Sequence, residues 1–157
     1  MIWQIRRAFF DDVDAIMEIE TATFGPDAWS REMMLTELGN ANAFYLAAGR
    51  EERLEGYAGL LAPKGSEQAD IQTVAVVESA RGNGLGRALM NIMLGEARSR
   101  GVKEVFLEVR ADNLGAQHLY ASLGFEQITV RKKYYQPDGV DAIVMRHVIP
   151  EPTVELA

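Results

Sequence analysis

The sequence predicts a single α+β domain, in which a mixed and mostly antiparallel sheet is flanked by helices. The chain has 157 residues, 48% hydrophobic and 25% charged, which is the size and composition of one globular domain. Apolar residues switch repeatedly between strand-like and helical spacing. The predicted order is β-α-α-β-β-β-α-β-α-β-β, and strands that follow one another directly are typical of α+β folds rather than of a regular βαβ repeat.

The first half of the chain predicts two helices among short strands. Apolar residues recur at helical spacing up to Phe24, where a Gly-Pro-Asp segment follows. Ser30 has the side chain and position of a helix N-cap, with Glu32 in the first turn. The predicted elements are a strand near 2–5, helices from 11 or 12 to 24 and from 30 to 38, and strands at 44–48, 54–61 and 71–77.

The second half alternates helices with strands. A strongly periodic stripe begins at Leu85, and Gly101 follows two arginines at the expected end of that helix. Asn113 is placed to cap a further helix, which Gly124 ends. The predicted elements are helices at 85–100 and 113–123 and strands at 105–109, 125–135 and 142–148. We expect one domain over residues 1–148 and a loose tail, with two prolines, over 149–157.

Composition excludes several classes of site and partner. The chain has no Cys and two His, so disulfides, thiolate metal sites and cysteine nucleophiles are excluded, and no metal is expected. No segment resembles a signal peptide or a membrane span, so we expect a cytoplasmic protein without membrane attachment. The net charge of −7 lies in residues 1–75, with 6 basic and 13 acidic side chains. This distribution argues against direct nucleic-acid binding. It is either an ordinary solvated face or a field that attracts a cationic substrate.

A glycine-rich turn between a predicted strand and helix is the most informative motif. Residues 81–86 are Arg-Gly-Asn-Gly-Leu-Gly, so uncovered backbone N–H groups meet a helix N-terminus, an arrangement that suits phosphate. The dinucleotide pattern G-x-G-x-x-G fails because its third glycine would fall on Arg87 or Leu89. The P-loop pattern fails because no Lys follows. A flexible connection that needs glycine only for its geometry is the alternative.

Glu108 is the candidate acid–base residue. It is a lone carboxylate in the apolar run 105–109, and strand alternation places it on the same face as Phe106. Such a carboxylate either serves as a general base or lies at a strand end where it reaches solvent or pairs with Arg110. If it accepts a proton from an amine, an α-amino group, with a pKa of about 7.7–8.0, is an easier substrate than a lysine at about 10.4.

These motifs together resemble a known family. Arg81-x-x-Gly84-x-Gly86, after the segment Thr73-Val-Ala-Val76, resembles the pyrophosphate-binding motif of the GNAT superfamily of N-acetyltransferases. The chain is further similar, over residues 1 to about 148, to the RimI group, which acetylates N-terminal alanines of bacterial ribosomal proteins. That similarity rests on Phe24 to Ser30 with Trp29-Ser30, Leu107-Glu-Val-Arg110, Asp112-Asn113, Leu119-Tyr120, Leu123-Gly-Phe125 and Arg131-Lys-Lys-Tyr-Tyr135. It departs at Val77-Glu78, where many relatives have Asp-Pro.

The resemblance implies an acetyl-CoA site with two catalytic residues. Glu108 would take the amine proton and Tyr120 would protonate the departing thiolate, although Tyr120 could equally be a core aromatic. N–H groups of the glycine turn would hold the pyrophosphate, and a backbone N–H near Val76 would polarise the thioester oxygen. The cofactor-binding residues implied are Val74, Ala75, Val76, Arg81, Gly82, Asn83, Gly84, Leu85, Gly86, Arg87, Asn113 and Tyr120.

The acceptor side is less determined by the sequence. Trp29, Tyr134 and Tyr135 are the candidate substrate-binding residues, and strand alternation predicts that at most one of the two tyrosines faces the cleft. The leading hypothesis is acetylation of an N-terminal alanine, by resemblance that of a small-subunit ribosomal protein. A small amine or an internal lysine is a second acceptor hypothesis. A non-catalytic acyl-CoA-binding module is a third, and the presence of both Glu108 and Tyr120 counts against it.

Overall fold

A seven-stranded sheet runs through residues 2–151, the part of the chain that the structure, a computed structural model, describes. Its strands lie in the order β1-β2-β3-β4-β5-β7-β6, and every neighbouring pair is antiparallel except β4 with β5. The element order confirms the predicted α+β fold. The strands are β1 (Gln4–Arg7), β2 (Ala43–Arg50), β3 (Arg53–Leu61), β4 (Gln68–Val76), β5 (Glu104–Arg110), β6 (Phe125–Tyr135) and β7 (Val140–Val148); the helices are α1 (Val13–Phe24), α2 (Arg31–Leu38), α3 (Leu85–Ser99) and α4 (Leu114–Ser122).

Two buried clusters cover the opposite faces of the sheet. Alternate residues of β2 belong to different clusters: Leu46 packs with α3, and its neighbour Tyr45 packs with α1. This period-2 division follows from the pleat of a strand that is buried on both faces. The helices are therefore held on either side of the sheet by ordinary apolar burial, and the sheet itself is the rigid support for the site.

The predicted helix caps are confirmed. The Ser30 hydroxyl accepts the N–H of Met33 at 3.2 Å, and the Asn113 side-chain oxygen accepts that of Ala116 at 3.1 Å. The β2–β3 loop is shorter than predicted, because the strands extend to Arg50 and Arg53. Its two residues, Glu51 and Glu52, both take left-handed backbone angles, φ 53° and 64°, as a tight hairpin turn requires.

The strands β4 and β5 separate part-way along the sheet. They are parallel and pair over three residues each, from Gln68 with Glu104 to Asp70 with Phe106. Beyond Asp70, β4 pairs with β3 on its other side, and β5 pairs with β7 up to Arg110. Beyond this point the facing edges of β4 and β5 do not pair with each other, and a gap opens between them in the sheet.

Contacts with the core continue one residue beyond the predicted domain boundary at residue 148. The N–H of Ile149 donates to the carbonyl of Lys103 at 2.8 Å, and its side chain packs against the α3 cluster. Residues 152–157 of the predicted tail lie outside the described residues, and the domain boundary stays a prediction. Within residues 2–151, no helix is long and apolar enough to cross a membrane.

Candidate active site

A cleft of about 1720 Å³ lies where β4 and β5 separate. It extends from the glycine-rich turn, across the facing strand edges, to the α1–α2 connection and the end of β6. Of the residues selected from the sequence, the structure brings fifteen of sixteen to this cleft, the exception being Asn83. Those that line it are Trp29, Val74, Ala75, Val76, Arg81, Gly82, Gly84, Leu85, Gly86, Arg87, Glu108, Asn113, Tyr120, Tyr134 and Tyr135.

The glycine turn delivers backbone N–H groups to one end of the cleft. Gly82 and Gly84 have φ of 77° and 87°, a region that side chains disfavour, and Gly84 is the N-cap of α3. No side chain of residues 2–151 caps α3, so the donors of its first turn are left for a ligand. The Asn83 amide is used differently, since it donates to the carbonyls of Ala80 and Arg81 and closes the turn.

Two arginines flank this turn. Arg81 donates from Nε to the Val76 carbonyl at 2.9 Å, which holds the end of β4 against the turn. Arg87 donates from one Nη to the hydroxyl of Ser122 at 2.8 Å. Because a guanidinium carries five N–H donors, both side chains keep further donors for an anion in the cleft.

Changing Gly84 to Ala should destabilise the turn by about 1–2 kcal/mol, because an L side chain resists the left-handed angle. An added Cβ would meet no atom within 4 Å, so the expected cost is backbone strain alone. Gly95→Ala is the matched control, since that glycine lies inside α3 with equally open space. It should stabilise the protein by about 0.4–1 kcal/mol. Urea unfolding measures both, and a loss of similar size in the two variants would contradict the backbone argument.

Glu108 faces the cleft from the middle of β5. Alternate residues of β5 are buried, and Phe106, Glu108 and Arg110 form the other, partly exposed face, which confirms the predicted alternation. The Glu108 carboxylate lies 3.3 Å from a guanidinium nitrogen of Arg131. The alternative pairing with Arg110 is wrong, because Arg110 is bonded to three other carboxylates. The side chain is 29% exposed and is open to a substrate.

Both tyrosines at the end of β6 line the cleft, so the prediction of opposite faces is wrong. The cause is Lys133, whose φ of 52° accompanies a shift in the pairing of β6 with β7 and breaks the period of two. The rings of Tyr134 and Tyr135 lie edge to face, 5.1 Å apart. Burial, with the nearby Glu108 charge, raises the pKa of Tyr135 to about 12 and also raises that of Tyr134. Both hydroxyls are therefore neutral donors at physiological pH.

Tyr120 packs against the core and also lines the cleft. Its ring packs against Phe125, with 6.0 Å between centroids, and contributes to the α3 side of the core. The same side chain lines the cleft. Burial raises the pKa of Tyr120 to about 12, so its hydroxyl is protonated and can donate a hydrogen bond.

Sequence reasoning missed Glu20, a buried carboxylate at the end of α1. It is 3% exposed, accepts the N–H of Trp29 at 2.9 Å, and accepts the hydroxyl of Tyr57. It thereby holds the chain segment that forms one wall of the cleft. A signal was present, because Glu20 falls seven residues after Val13 on the apolar stripe of α1, as Glu108 falls on the apolar run of β5.

The stability of the protein should depend on pH through Glu20. Burial raises the pKa of Glu20 above that of an unfolded glutamate, so the folded state binds its proton more tightly. This contribution is present below the unfolded pKa and is lost as pH rises through the folded pKa. The free energy of unfolding of wild type, measured relative to Glu20→Gln, should therefore fall across that window. The exposed Glu18 on the same helix provides the control Glu18→Gln. A difference between wild type and Glu20→Gln that does not change with pH would contradict the assignment.

The described residues offer no evident metal site at this cleft or elsewhere. No group of three or more His, Asp or Glu side chains within residues 2–151 is arranged to hold a metal ion.

Comparisons with known proteins agree with the geometry. The sequence profile of the acetyltransferase (GNAT) family matches residues 13–125. An N-alpha-acetyltransferase RimI of Mycobacterium tuberculosis is 35% identical over 145 residues, 90% of each chain. An uncharacterised protein of Mycobacterium leprae is 38% identical over 138 residues, which are 86% of this chain and 38% of that longer protein.

A solved structure shares nearly the whole fold. The crystal structure of the ribosomal-protein-S18-alanine N-acetyltransferase from Escherichia coli superposes with a TM-score of 0.87 and 29% identity, covering 99% of both chains. The family profile covers more than half of the described fold and includes the glycine turn, Glu108 and Tyr120. The chain therefore belongs to the GNAT family of N-acetyltransferases.

Proposed function

We propose that this chain is an acetyl-CoA-dependent N-terminal protein acetyltransferase, whose acceptor is the α-amino group of an N-terminal alanine on a small-subunit ribosomal protein. The observation that carries the proposal is the presence of Glu108 and Tyr120 in the same cleft as the glycine turn. The acceptor is supported by two relatives, one named as an N-alpha-acetyltransferase and the other as an S18-alanine N-acetyltransferase.

Acetyl-CoA would occupy the turn and the adjoining edge of β4. The uncovered N–H groups at 82–87 suit the two phosphates, with Arg81 and Arg87 adding positive charge. The edge of β4 beyond Asp70 has no β5 partner, so the pantetheine amides can pair with it like an added strand. The arm would then run from the turn towards Glu108, with Asn113 and Tyr120 on its other side.

Acetyl transfer follows from this placement by direct attack. Glu108 removes a proton from the ammonium form of the acceptor, directly or through a water, and the neutral nitrogen attacks the thioester carbonyl. A backbone N–H near Val76 stabilises the oxyanion of the tetrahedral intermediate. The C–S bond then breaks, the amide forms, and the thiolate takes a proton from Tyr120. Proton exchange with solvent returns both side chains to their starting states.

A peptide library tests the acceptor. Peptides with each possible first residue should be acetylated at the α-amine, most rapidly with Ala first and slowly with bulky first residues. Matched peptides with a blocked N-terminus and an internal Lys should not react. Mass spectrometry locates the acetyl group. Acetylation of the blocked lysine peptides would contradict the α-amine assignment, and no transfer to any amine would favour an acyl-CoA-binding module.

Salt should slow the reaction of basic acceptors. The acceptor end of the cleft carries the acidic residues Glu20, Asp27, Asp70, Glu108 and Asp138 against Arg110 and Arg131. This excess negative charge should attract a peptide with basic residues after its first position, and the attraction is screened over a Debye length of about 10 Å at 0.1 M salt. We expect kcat/KM for such a peptide to fall several-fold between low and high salt, while that of a neutral peptide is nearly constant. If kcat/KM is independent of salt for both peptides, the acidic residues are an ordinary solvated surface and do not attract the acceptor.

A further inference from the structure

Arg110 makes more charged contacts than any catalytic candidate, although the proposed chemistry does not use it. It ends β5, two residues after Glu108 on the same face. One Nη donates to Asp27 at 2.7 Å and the other donates to Asp138 at 2.6 Å. The Nε and the second Nη both bond to Asp112, each at 3.1 Å. All three nitrogens of the guanidinium are thus engaged.

The carboxylates around Arg110 belong to separate segments of the chain. Asp112 lies two residues after the end of β5 and accepts from two nitrogens of the guanidinium, which fixes the plane of that group. Asp27 lies in the α1–α2 connection, two residues before Trp29. Asp138 lies in the turn between β6 and β7, close after Tyr135. Asp27 and Asp138 therefore belong to the two connections that wall the acceptor end of the cleft.

Arg110, with its bonds to Asp27 and Asp138, forms a bridge between these two walls. Within residues 2–151, no hydrogen bond or ion pair joins the α1–α2 connection to the β6–β7 turn except through Arg110. The guanidinium also lies over the ring of Tyr135, with 5.2 Å from its carbon to the ring centroid. A planar fork with five donors can hold three carboxylates at fixed angles, which a lysine ammonium cannot do.

The contact between Arg110 and Asp27 is the sheltered one of the three. The side chains of Arg110 and Asp27 are 24% and 14% exposed, whereas those of Asp138 and Asp112 are 49% and 57% exposed. The guanidinium lowers the pKa of both Asp112 and Asp138, so these two carboxylates stay charged well below neutral pH. Three negative groups around one cation would repel one another if the cation were lost, so the two walls should separate without Arg110.

We propose that Arg110 is a positioning residue for acceptor selection: by joining Asp27 to Asp138, it sets the width of the acceptor end of the cleft and so determines which first residue an acceptor can have. The inference rests on the proposed function, since it presupposes an acceptor between these walls. It adds that the discrimination depends on a residue that does not itself touch the reacting atoms.

Arg110→Gln tests the bridge by two separate measurements. Hydrogen exchange of the free protein should become faster in residues 25–30 and in residues 136–139 together, with little change elsewhere. In steady-state kinetics, the acceptor KM should rise about tenfold or more, and the preference for Ala over Leu as first residue should fall by a similar factor. The KM for acetyl-CoA should stay within about twofold of wild type, because the Arg110 side chain forms no hydrogen bond to residues 81–87, where the phosphates would bind.

Two further variants guard against a merely structural effect. Arg146→Gln removes a guanidinium from the neighbouring strand, where it pairs with Glu104 at 3.3 Å, and should change neither exchange in these segments nor selectivity. Asp138→Asn keeps a side chain that forms turns. As a single substitution it should lower the preference for Ala as first residue. Added to Arg110→Gln it should lower that preference no further, as expected for two members of one contact. If Arg110→Gln fails to fold, Asp138→Asn alone still tests the contact between Arg110 and the β6–β7 turn.

The outcomes separate this inference from the proposed function. If wild type acetylates no peptide, the proposed function is wrong, and hydrogen exchange still decides whether Arg110 joins the two walls. If wild type acetylates peptides but Asp138→Asn and Arg110→Gln keep the wild-type preference for the first residue, the positioning role is wrong. Exchange that becomes faster in one wall alone, or additive effects of the two substitutions on selectivity, would also overturn it.

Discussion

Glu108→Gln should slow acetyl transfer by a factor of about 10²–10⁴, the usual contribution of a general base. Glutamine has nearly the same shape but cannot accept the amine proton, so an acceptor that binds as an ammonium ion would keep its proton and lack the lone pair that attacks. Acetyl-CoA binding, measured by calorimetry, should stay within about twofold of wild type, because the loss concerns the reacting state and not the donor complex. Single-turnover acetylation at saturating donor measures the chemical step.

The chain offers a closely matched control for this substitution. Glu104 lies on the same strand, is 31% exposed, and contacts the guanidinium of Arg146 at the same 3.3 Å that joins Glu108 to Arg131. It does not line the cleft. Glu104→Gln therefore removes a similar ion pair from β5 without touching the proposed chemistry, and its turnover should equal that of wild type. If both variants turn over as fast as wild type, Glu108 is not the general base. If both are slowed by the same factor, the loss of either ion pair has a structural effect on turnover.

The parts of the fold that local rules control could be predicted from the sequence. Apolar periodicity placed each helix and strand to within a few residues, and the side-chain chemistry of Ser30 and Asn113 located two helix caps. Alternation along β5 placed Glu108 on the cleft face without knowledge of the partner strands. The glycine turn could be identified because positive backbone angles restrict the residue type so strongly.

The geometry of the acceptor side could not be predicted, although its lining residues Trp29, Tyr134 and Tyr135 could, because tertiary contacts override local rules there. Asp141 on β7 accepts bonds from both the Lys132 side chain and the Lys133 backbone, and the bulge at Lys133 turns both tyrosines to the cleft. Nothing in the local pattern of β6 indicates that bulge. Two of the three partners of Arg110, Asp27 and Asp138, likewise lie 83 and 28 residues away in the chain, beyond the reach of any periodicity argument.

The donor and acceptor sides differ in this way for a physical reason. The donor end is built from backbone groups of one contiguous strand, turn and helix, so its sequence signature is compact. The acceptor end is built from side chains of separate connections that meet only in the folded protein. We therefore expect substitutions in the turn to change donor binding, and substitutions in the connections to change the choice of acceptor.

Tyr120→Phe should lower turnover about 10²-fold or more, since it removes the proposed general acid while it keeps the ring. The ring packs against Phe125, and no partner for its hydroxyl is found among residues 2–151, so the free energy of unfolding should change by less than about 0.5 kcal/mol. A pKa of about 12 keeps the hydroxyl neutral throughout the assay range, and the loss in turnover should not depend on pH between 6 and 9.

A change of leaving group distinguishes an acid from a packing residue. An acetyl thioester of a more acidic thiol needs less help to depart, because a thiolate of lower pKa is the better leaving group. With such a donor, the deficit of Tyr120→Phe relative to wild type should shrink. The deficit of Glu108→Gln should not, since Glu108 acts on the acceptor in the proposed mechanism. Tyr135→Phe is the control: it removes a hydroxyl of similar pKa from the acceptor wall and should alter the acceptor KM without any dependence on the leaving group. A deficit in Tyr120→Phe that is the same for both thioesters would show that the ring, and not the proton, is what the reaction requires.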